Sequence, residues 1–197
     1  MLVVQRDFDD TVSVGNVSTA IRQEFGPEEW VAMEREYHSG AYSVEESNIR
    51  QFALVNETEE RIAEFVTSTV KVRDGFAEFV RYCRREGLKL VVVSSGLDLY
   101  INPVMDQLGF DHLEIRSGKA TFASDGIHVE YRDPSGAATT RGFKESSLRH
   151  FKEQGCTVIY VGDGLSDIVP ASEADFVIAR STLEEYFKSR NLSHFRF

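Results

Sequence analysis

Two cysteines, one tryptophan, three methionines and four prolines in 197 residues exclude several classes of protein at once. Cys83 and Cys156 stand alone, without the paired spacing of a zinc site or the density of a disulfide scaffold. They read as reduced thiols of a cytoplasmic protein. No apolar run approaches the roughly 20 residues of a membrane span, and the first residues lack the basic-then-apolar order of a secretory leader. Positive charge is also scarce: 22 Lys and Arg against 32 Asp and Glu give a net charge of −10. A nucleic-acid binder would show the reverse balance. Anionic substrates stay open, because a bound cation inverts the local field. The five histidines (38, 112, 128, 150 and 194) show no ligand spacing, and there are no internal repeats or low-complexity tracts.

What is present is an alternation of short apolar runs with helical stretches, the order of a parallel α/β sheet. The runs predict strands over 2–7, 88–93, 112–115, 157–161 and 176–178. Helical periodicity falls between them, over 75–86, 98–108, 143–154, 165–172 and 183–189. Phe76, Phe79, Val80 and Cys83 make one face of the first of these a core face, and Gly87 ends it. Residues 17–72 break the alternation. Ile21 and Phe25, Trp30 and Met33, Ile49 and Phe52, then Ile62, Phe65 and Val66 keep helical spacing throughout. This reads as an inserted helical module with turns at Gly26-Pro27 and Ser39–Ser43. Residues 1–16 and 73–197 then form the α/β core. A second irregularity over 117–131, with Asp125-Gly126, predicts a β-hairpin turning on that pair.

The chemistry lies in four segments. Asp7-Phe8-Asp9-Asp10-Thr11 follows the first strand, and Ser94-Ser95-Gly96 follows the second. Lys144 lies just inside a helix, and Gly162-Asp163-Gly164-Leu165-Ser166-Asp167 closes a later strand. In an open parallel sheet, ligands bind beyond the carboxyl ends of the strands, so all four converge on one place. Acid, hydroxyl, amine and acid suit phosphoryl transfer, where the protein must position and neutralise. Asp7 can attack phosphorus as a carboxylate nucleophile. Asp9 can protonate the leaving oxygen and later deprotonate water. Asp163 would share Mg²⁺ with Asp7, since that ion takes carboxylate oxygens. Lys144 and the Ser94 hydroxyl would hold phosphoryl oxygens, with the Ser95 and Gly96 amides added at a helix start. Thr11, Ser166 and Asp167 would support these groups from behind. Singly, each segment also fits a turn, a helix cap or a solvated lysine; the ordered set points to one site.

In combination the segments resemble the haloacid dehalogenase superfamily, in its phosphoserine-phosphatase branch. That resemblance implies a Rossmann-like α/β fold with residues 17–72 as a helical cap, and an aspartyl-phosphate formed on Asp7. It further implies Asp9 as the acid/base, its backbone carbonyl joining Asp7 and Asp163 around Mg²⁺. Gly26–Trp30, Val72–Val80, Ser94–Asp98 and Ala179–Leu183 look most similar to the methionine-salvage phosphatases of 2-hydroxy-3-keto-5-methylthiopentenyl-1-phosphate. Phosphoserine is the alternative substrate, and phosphocholine-type and sugar-phosphate substrates stay open. Arg50, on the cap with Phe52, is the candidate for reading a polar substrate group. Trp30 and Met33 read as cap core, and Glu24, Glu45 and Glu46 as a solvated helix face. Departures from the family pattern are Asp10, where relatives usually carry Gly, and Gln5-Arg6 in a strand that is normally apolar. Arg6 is expected to offset Asp10. The expected partner is a small phosphorylated metabolite, without nucleic acid or membrane, bound by a monomer or homodimer. Two rivals are a receiver-type signalling domain and a capped binding protein without turnover. The first is disfavoured because 112–115 ends in no acid.

Overall fold

A computed structural model describes residues 1–197. The chain enters through β1 (Leu2–Arg6), whose Val3 and Val4 are buried on both faces, as a central parallel strand requires. A tight loop follows, and then β2 (Ser13–Val14). Four helices come next: α1 (Val17–Phe25), α2 (Trp30–His38), α3 (Val44–Phe52) and α4 (Glu59–Thr69). Asn16, Ser43 and Thr58 cap α1, α3 and α4 with side-chain oxygens on backbone N–H groups. The excursion returns at β3 (Lys71–Val72), which pairs antiparallel with β2. The two ends of the helical excursion are thereby tied together, a pairing too short to leave a periodic signal in the sequence.

The α/β order then resumes with α5 (Phe76–Arg85), β4 (Lys89–Leu97) and α6 (Asp98–Gln107). After these come β5 (Glu114–Ala123), β6 (Gly126–Arg132) and β7 (Ala138–Thr139). The chain closes with α7 (Phe143–Glu153), β8 (Thr157–Gly162), a 3₁₀ turn (Leu165–Asp167), α8 (Ile168–Glu173), β9 (Phe176–Ala179), α9 (Ser181–Ser189) and β10 (Phe195–Arg196). One eight-stranded sheet runs β10-β9-β8-β1-β4-β5-β6-β7. It is parallel from β10 to β5, and antiparallel at β5–β6 and β6–β7. The chain leaves β1 toward β4 on one side and reaches β8 on the other. The carboxyl ends of β1, β4 and β8 are therefore the switch point at which such sheets bind ligands.

The five predicted strands and five predicted helices are present, with informative differences. The second strand runs on through Ser94, Ser95 and Gly96 to Leu97, with its register broken between Val93 and Leu97. Those residues thus belong to an irregular strand end, and the helix starts after them. The expected strand over 112–115 is the start of β5, which continues into the hairpin. Its turn residues are Ser124 and Asp125, because Ala123 pairs with Gly126. Gly126 follows the turn at φ +129, where a Cβ would lie 2.1 Å from the carbonyl oxygen of Ala53, the residue that ends α3. The predicted helix over 165–172 is divided into the 3₁₀ turn and α8.

Helical excursion and sheet share one apolar cluster. Val17, Ile21, Phe52, Val55, Ile62 and Val66 join Val3, Val91, Val93, Ile101 and Met105 in it, with α4 packed on α6 and α3 on β6. By contrast α2 buries no residue. Arg6 does not offset Asp10. Its guanidinium sits among Phe76, Phe79 and Phe197 at 5.2–5.6 Å and donates to the Thr11 carbonyl. The arginine beside Asp10 is Arg73, which donates to the carbonyls of Asp10, Thr11 and Ser13. Asp10 itself lies at φ +56, in the left-handed region that Gly occupies freely and Asp tolerates better than most residues.

Candidate active site

Asp7 is the first residue past β1, and its N–H donates to the Val161 carbonyl of β8 at 2.9 Å. Behind it lies the ammonium of Lys144, 2.9 Å from Asp7 Oδ1 and 2.7 Å from Asp167 Oδ1. Lys144 is held as tightly at its backbone, where buried Gln5 donates to its carbonyl at 3.0 Å. That contact accounts for a buried amide directly after the apolar run of β1. Asp167 has no free acceptor. Oδ1 takes the Lys144 ammonium and the Tyr160 hydroxyl, while Oδ2 takes the N–H groups of Asp163 and Gly164. Gly162 leaves the space this carboxylate occupies; a Cβ there would lie 2.6 Å from Asp167 Cγ. Asp163 is fixed from the other side by the Thr11 hydroxyl at 2.8 Å, and Ser166 accepts from Lys144 at 3.1 Å.

Asp9 faces the same cleft. Its Oδ1 accepts from the Val17 N–H at 2.7 Å and its Oδ2 from the Tyr100 hydroxyl at 2.6 Å. Tyr100 is fully buried, and nothing in its helical surroundings in the sequence set it apart from a core aromatic. Gly96 is required here, because a Cβ would overlap the Tyr100 hydroxyl and lie 2.9 Å from Asp9 Oδ2. The Gly96 N–H turns back onto Ser94 Oγ at 3.0 Å. The expectation of a helix N-terminal amide pair at Ser95 and Gly96 is thereby corrected: α6 begins two residues later, at Asp98.

One ammonium stands among four carboxylates in this pocket and pairs directly with two, Asp7 and Asp167. Burial and the neighbouring Asp167 and Asp163 push Asp7 well up, against the pull of Lys144. Asp163 is pushed up to about 7 by burial and by Asp167. Burial alone would raise Asp167, but the Lys144 charge and the hydrogen bonds it accepts hold it below the usual range. Burial raises Asp9, opposed by the Tyr100 and Val17 hydrogen bonds. Carboxylate oxygens of Asp7, Asp163 and Asp167 lie within 4.8 Å of one another. Asp7 Oδ1 has no hydrogen bond of good geometry despite its distance to Lys144. This oxygen-only, net acidic donor set fits a hard divalent cation. Asp7 and Asp163 are the side chains with acceptor capacity to spare; Asp167 has spent its own.

A proton on Asp163 competes with such a cation, and the direction follows from its raised position. Near pH 5 Asp163 is largely protonated, and above about 7 it is ionised. Added Mg²⁺ should therefore raise the melting temperature more at pH 8 than at pH 5. Equal shifts at the two pH values, followed by calorimetry, would contradict this.

The cleft in front of these groups encloses about 350 Å³. Asp7, Asp9, Ser94, Ser95, Gly96, Lys144, Asp163 and Ser166 all line it, while Thr11 and Asp167 stand behind. Its far wall comes from α1, α2 and α3, with Ser18, Arg22, Glu34, Tyr37 and Asn48. Arg50 is not among them. It stacks on Tyr42 at 4.7 Å on the outside of α3, because the residues of α3 that turn toward the sheet are Glu45, Asn48 and Phe52. The arginine that reaches the cleft is Arg22, buried beside Ser18, Asn48 and Glu34. Nor is Glu45 solvated: it is 2% exposed and accepts from the Phe143 N–H at 3.0 Å. Trp30 and Met33 lie outside the cleft lining.

The model of the haloacid dehalogenase-like hydrolase family matches residues 6–170. A 2-hydroxy-3-keto-5-methylthiopentenyl-1-phosphate phosphatase of Brevibacillus brevis is 30% identical over all of this chain and 90% of its own length. The enzyme of the same name from Geobacillus thermodenitrificans matches with the same identity and coverage. Among solved structures, a phospho-aspartyl intermediate analogue of phosphoserine phosphatase superposes with a TM-score of 0.71 at 21% identity. The match covers 98% of this chain and 92% of that one. A hydrolase of the same family from Salmonella enterica serovar Typhi reaches 0.76 at 16% identity, over 100% of this chain and 66% of its own. At such identities the two structures speak for the fold. The chain belongs to the haloacid dehalogenase-like hydrolases, and its relatives at 30% identity are phosphatases.

Proposed function

We propose that this protein hydrolyses the phosphate monoester of a small metabolite through an aspartyl-phosphate on Asp7, with residues 17–72 serving as the cap over the site. The observation that carries this is the buried Asp7–Lys144–Asp167 chain at the floor of a polar cleft, with Asp9 facing the same cleft. An Asp7 oxygen attacks phosphorus, and the bond from phosphorus to the ester oxygen breaks. Asp9 delivers its proton to that departing oxygen, then takes one from the water that attacks the phosphorus of the acyl phosphate. The Asp7 carboxylate is thereby restored. Lys144 and the Ser94 hydroxyl neutralise and hold the phosphoryl oxygens. Asp7, Asp163 and the Asp9 backbone carbonyl would hold Mg²⁺, which supplies charge neutralisation at the transferring phosphoryl group. The helical wall excludes bulky phosphoproteins and limits water around the reaction.

The names of the relatives make 2-hydroxy-3-keto-5-methylthiopentenyl-1-phosphate the first substrate to test and phosphoserine the second. A cytoplasmic setting is part of the same reading, supported by Cys83 and Cys156 being free and buried; no helix is long and apolar enough to cross a membrane. The test is release of inorganic phosphate from a panel of small phosphomonoesters, with Mg²⁺ and with chelator. Chelator-sensitive turnover of one ester far above the rest is expected. Stoichiometric labelling without turnover would instead favour a receiver-like role, and no reaction at all a binding protein.

A further inference from the structure

The helix α7 carries Lys144 in its first turn but has no cap of its own. Its N-cap position is Gly142, at φ +74, with no side chain to accept the free N–H groups. The acceptor comes from elsewhere. Glu45 of α3, a residue 98 positions earlier in the chain, places Oε1 at 3.0 Å from the Phe143 N–H. A carboxylate at that point satisfies an orphan donor and also complements the positive end of the helix dipole. Two further contacts join α3 to the same loop: Ser43 Oγ donates to the Thr140 carbonyl, and Arg141 lies 3.4 Å from Glu46.

Three residues on, and so on the same face of α3, Asn48 does the equivalent for the other phosphate-holding segment. Its Nδ2 donates to the Ser95 carbonyl at 2.8 Å and to the Tyr131 hydroxyl at 3.0 Å. Tyr131, fully buried, donates to the same Ser95 carbonyl. The Ser95 carbonyl is therefore held from two sides at the point where β4 loses its register. Both Glu45 and Asn48 are at most 5% exposed, so neither bond competes with solvent.

We infer that Glu45 and Asn48 are positioning residues. One face of α3 braces the Ser94–Gly96 segment and the Lys144 turn, and sets the separation at which they grip a phosphoryl group. The kinetic side of this inference rests on the phosphatase reading; the structural side does not. Neither residue needs to touch the substrate for this role, and misplacement of about 1 Å in such a site costs on the order of 10²-fold.

The experiment uses the full chain with Glu45→Ala, Glu45→Gln, Asn48→Ala and the double alanine variant. Two quantities are read: amide hydrogen exchange across 143–147, and competitive inhibition by inorganic phosphate. Loss of a charge-assisted bond predicts at least roughly tenfold faster exchange in that turn for Glu45→Ala. The inhibition constant should rise by about the same factor, and KM should rise more than kcat falls. Glu45→Gln keeps an acceptor and should restore most of both; a purely structural effect would instead raise exchange throughout the molecule. Unchanged exchange at 143–147 in a folded Glu45→Ala protein would overturn the brace. So would phosphate inhibition equal to wild type in Glu45→Ala and Asn48→Ala alike. If the wild type neither hydrolyses esters nor binds phosphate, the phosphatase reading fails, and the exchange data still decide the brace.

Discussion

Asp7→Asn should reduce phosphate release by at least about 10⁴-fold, the scale on which loss of a nucleophile is felt, while leaving a folded protein. The chemical half of this is simple: an amide oxygen is a poor nucleophile, and no other carboxylate stands in the same place. Asp167 is fully engaged, and Asp163 is turned to Thr11. The stability half is less obvious, because Asp7 is buried and paired with Lys144. Removing its charge loses one Lys144 partner but also relieves the burial of a charge and its crowding with Asp167 and Asp163, the effects that push Asp7 up. The two terms oppose each other, and a net change within about 1 kcal/mol is expected, far below the cost of breaking a buried pair outright. Urea unfolding beside a phosphate-release assay checks both halves. Turnover within tenfold of wild type would remove Asp7 as the attacking group.

Asp167→Ala should behave in the opposite way, with stability suffering as much as chemistry. This carboxylate satisfies the Lys144 ammonium, the Tyr160 hydroxyl and the Asp163 N–H, all of them buried, and the half-buried Gly164 N–H. Removing one partner of a buried ion pair costs about 3–5 kcal/mol, and the orphaned N–H groups at Asp163 and Gly164 add to it. Asp167→Asn should lose less, since the amide keeps the shape and one acceptor. Activity should fall in both, because Lys144 would then be drawn onto Asp7 alone. Denaturant midpoints are the measurement. An alanine variant within about 1 kcal/mol of wild type would show that water or a neighbour replaces the carboxylate, and would end the view of Asp167 as the anchor of the site.

The contrast between these two aspartates shows what was readable in the sequence and what was not. Motifs anchored to strand ends were legible, because alternation gives the sheet and the sheet puts its carboxyl ends together. Asp7, Ser94 and Asp163 meet for that reason, and Lys144 joins them from the first turn of α7. Sheet periodicity says nothing about long-range partners that depend on the angle of one helix. Tyr100 on Asp9, Gln5 under Lys144 and Glu45 over Phe143 each join residues about 90 or more positions apart. Arg50 was misplaced for a related reason. Within a nine-residue helix, one step of about 100° separates the face toward the cleft from the face toward solvent, and the flanking apolar residues do not decide between them. Glu45 looked like one charge in an acidic run, and only the uncapped start of α7 gave it a partner. The Ser95–Gly96 segment was read as a helix start because Ser and Gly favour both caps and strand irregularities.

The shared apolar cluster of helical excursion and sheet bears on how such enzymes can diversify. A cap with a core of its own could be exchanged between relatives as a cassette, joined at the β2–β3 stem. Here Phe52, Val55, Ile62 and Val66 complete the same packing as the sheet strands and α6. A transplanted excursion would have to arrive with the matching faces of α6 and β6, or leave a void under the donor helices. Recombination at the stem alone is thus a poor route to new specificity. Point changes on α2, which buries nothing, are the inexpensive one.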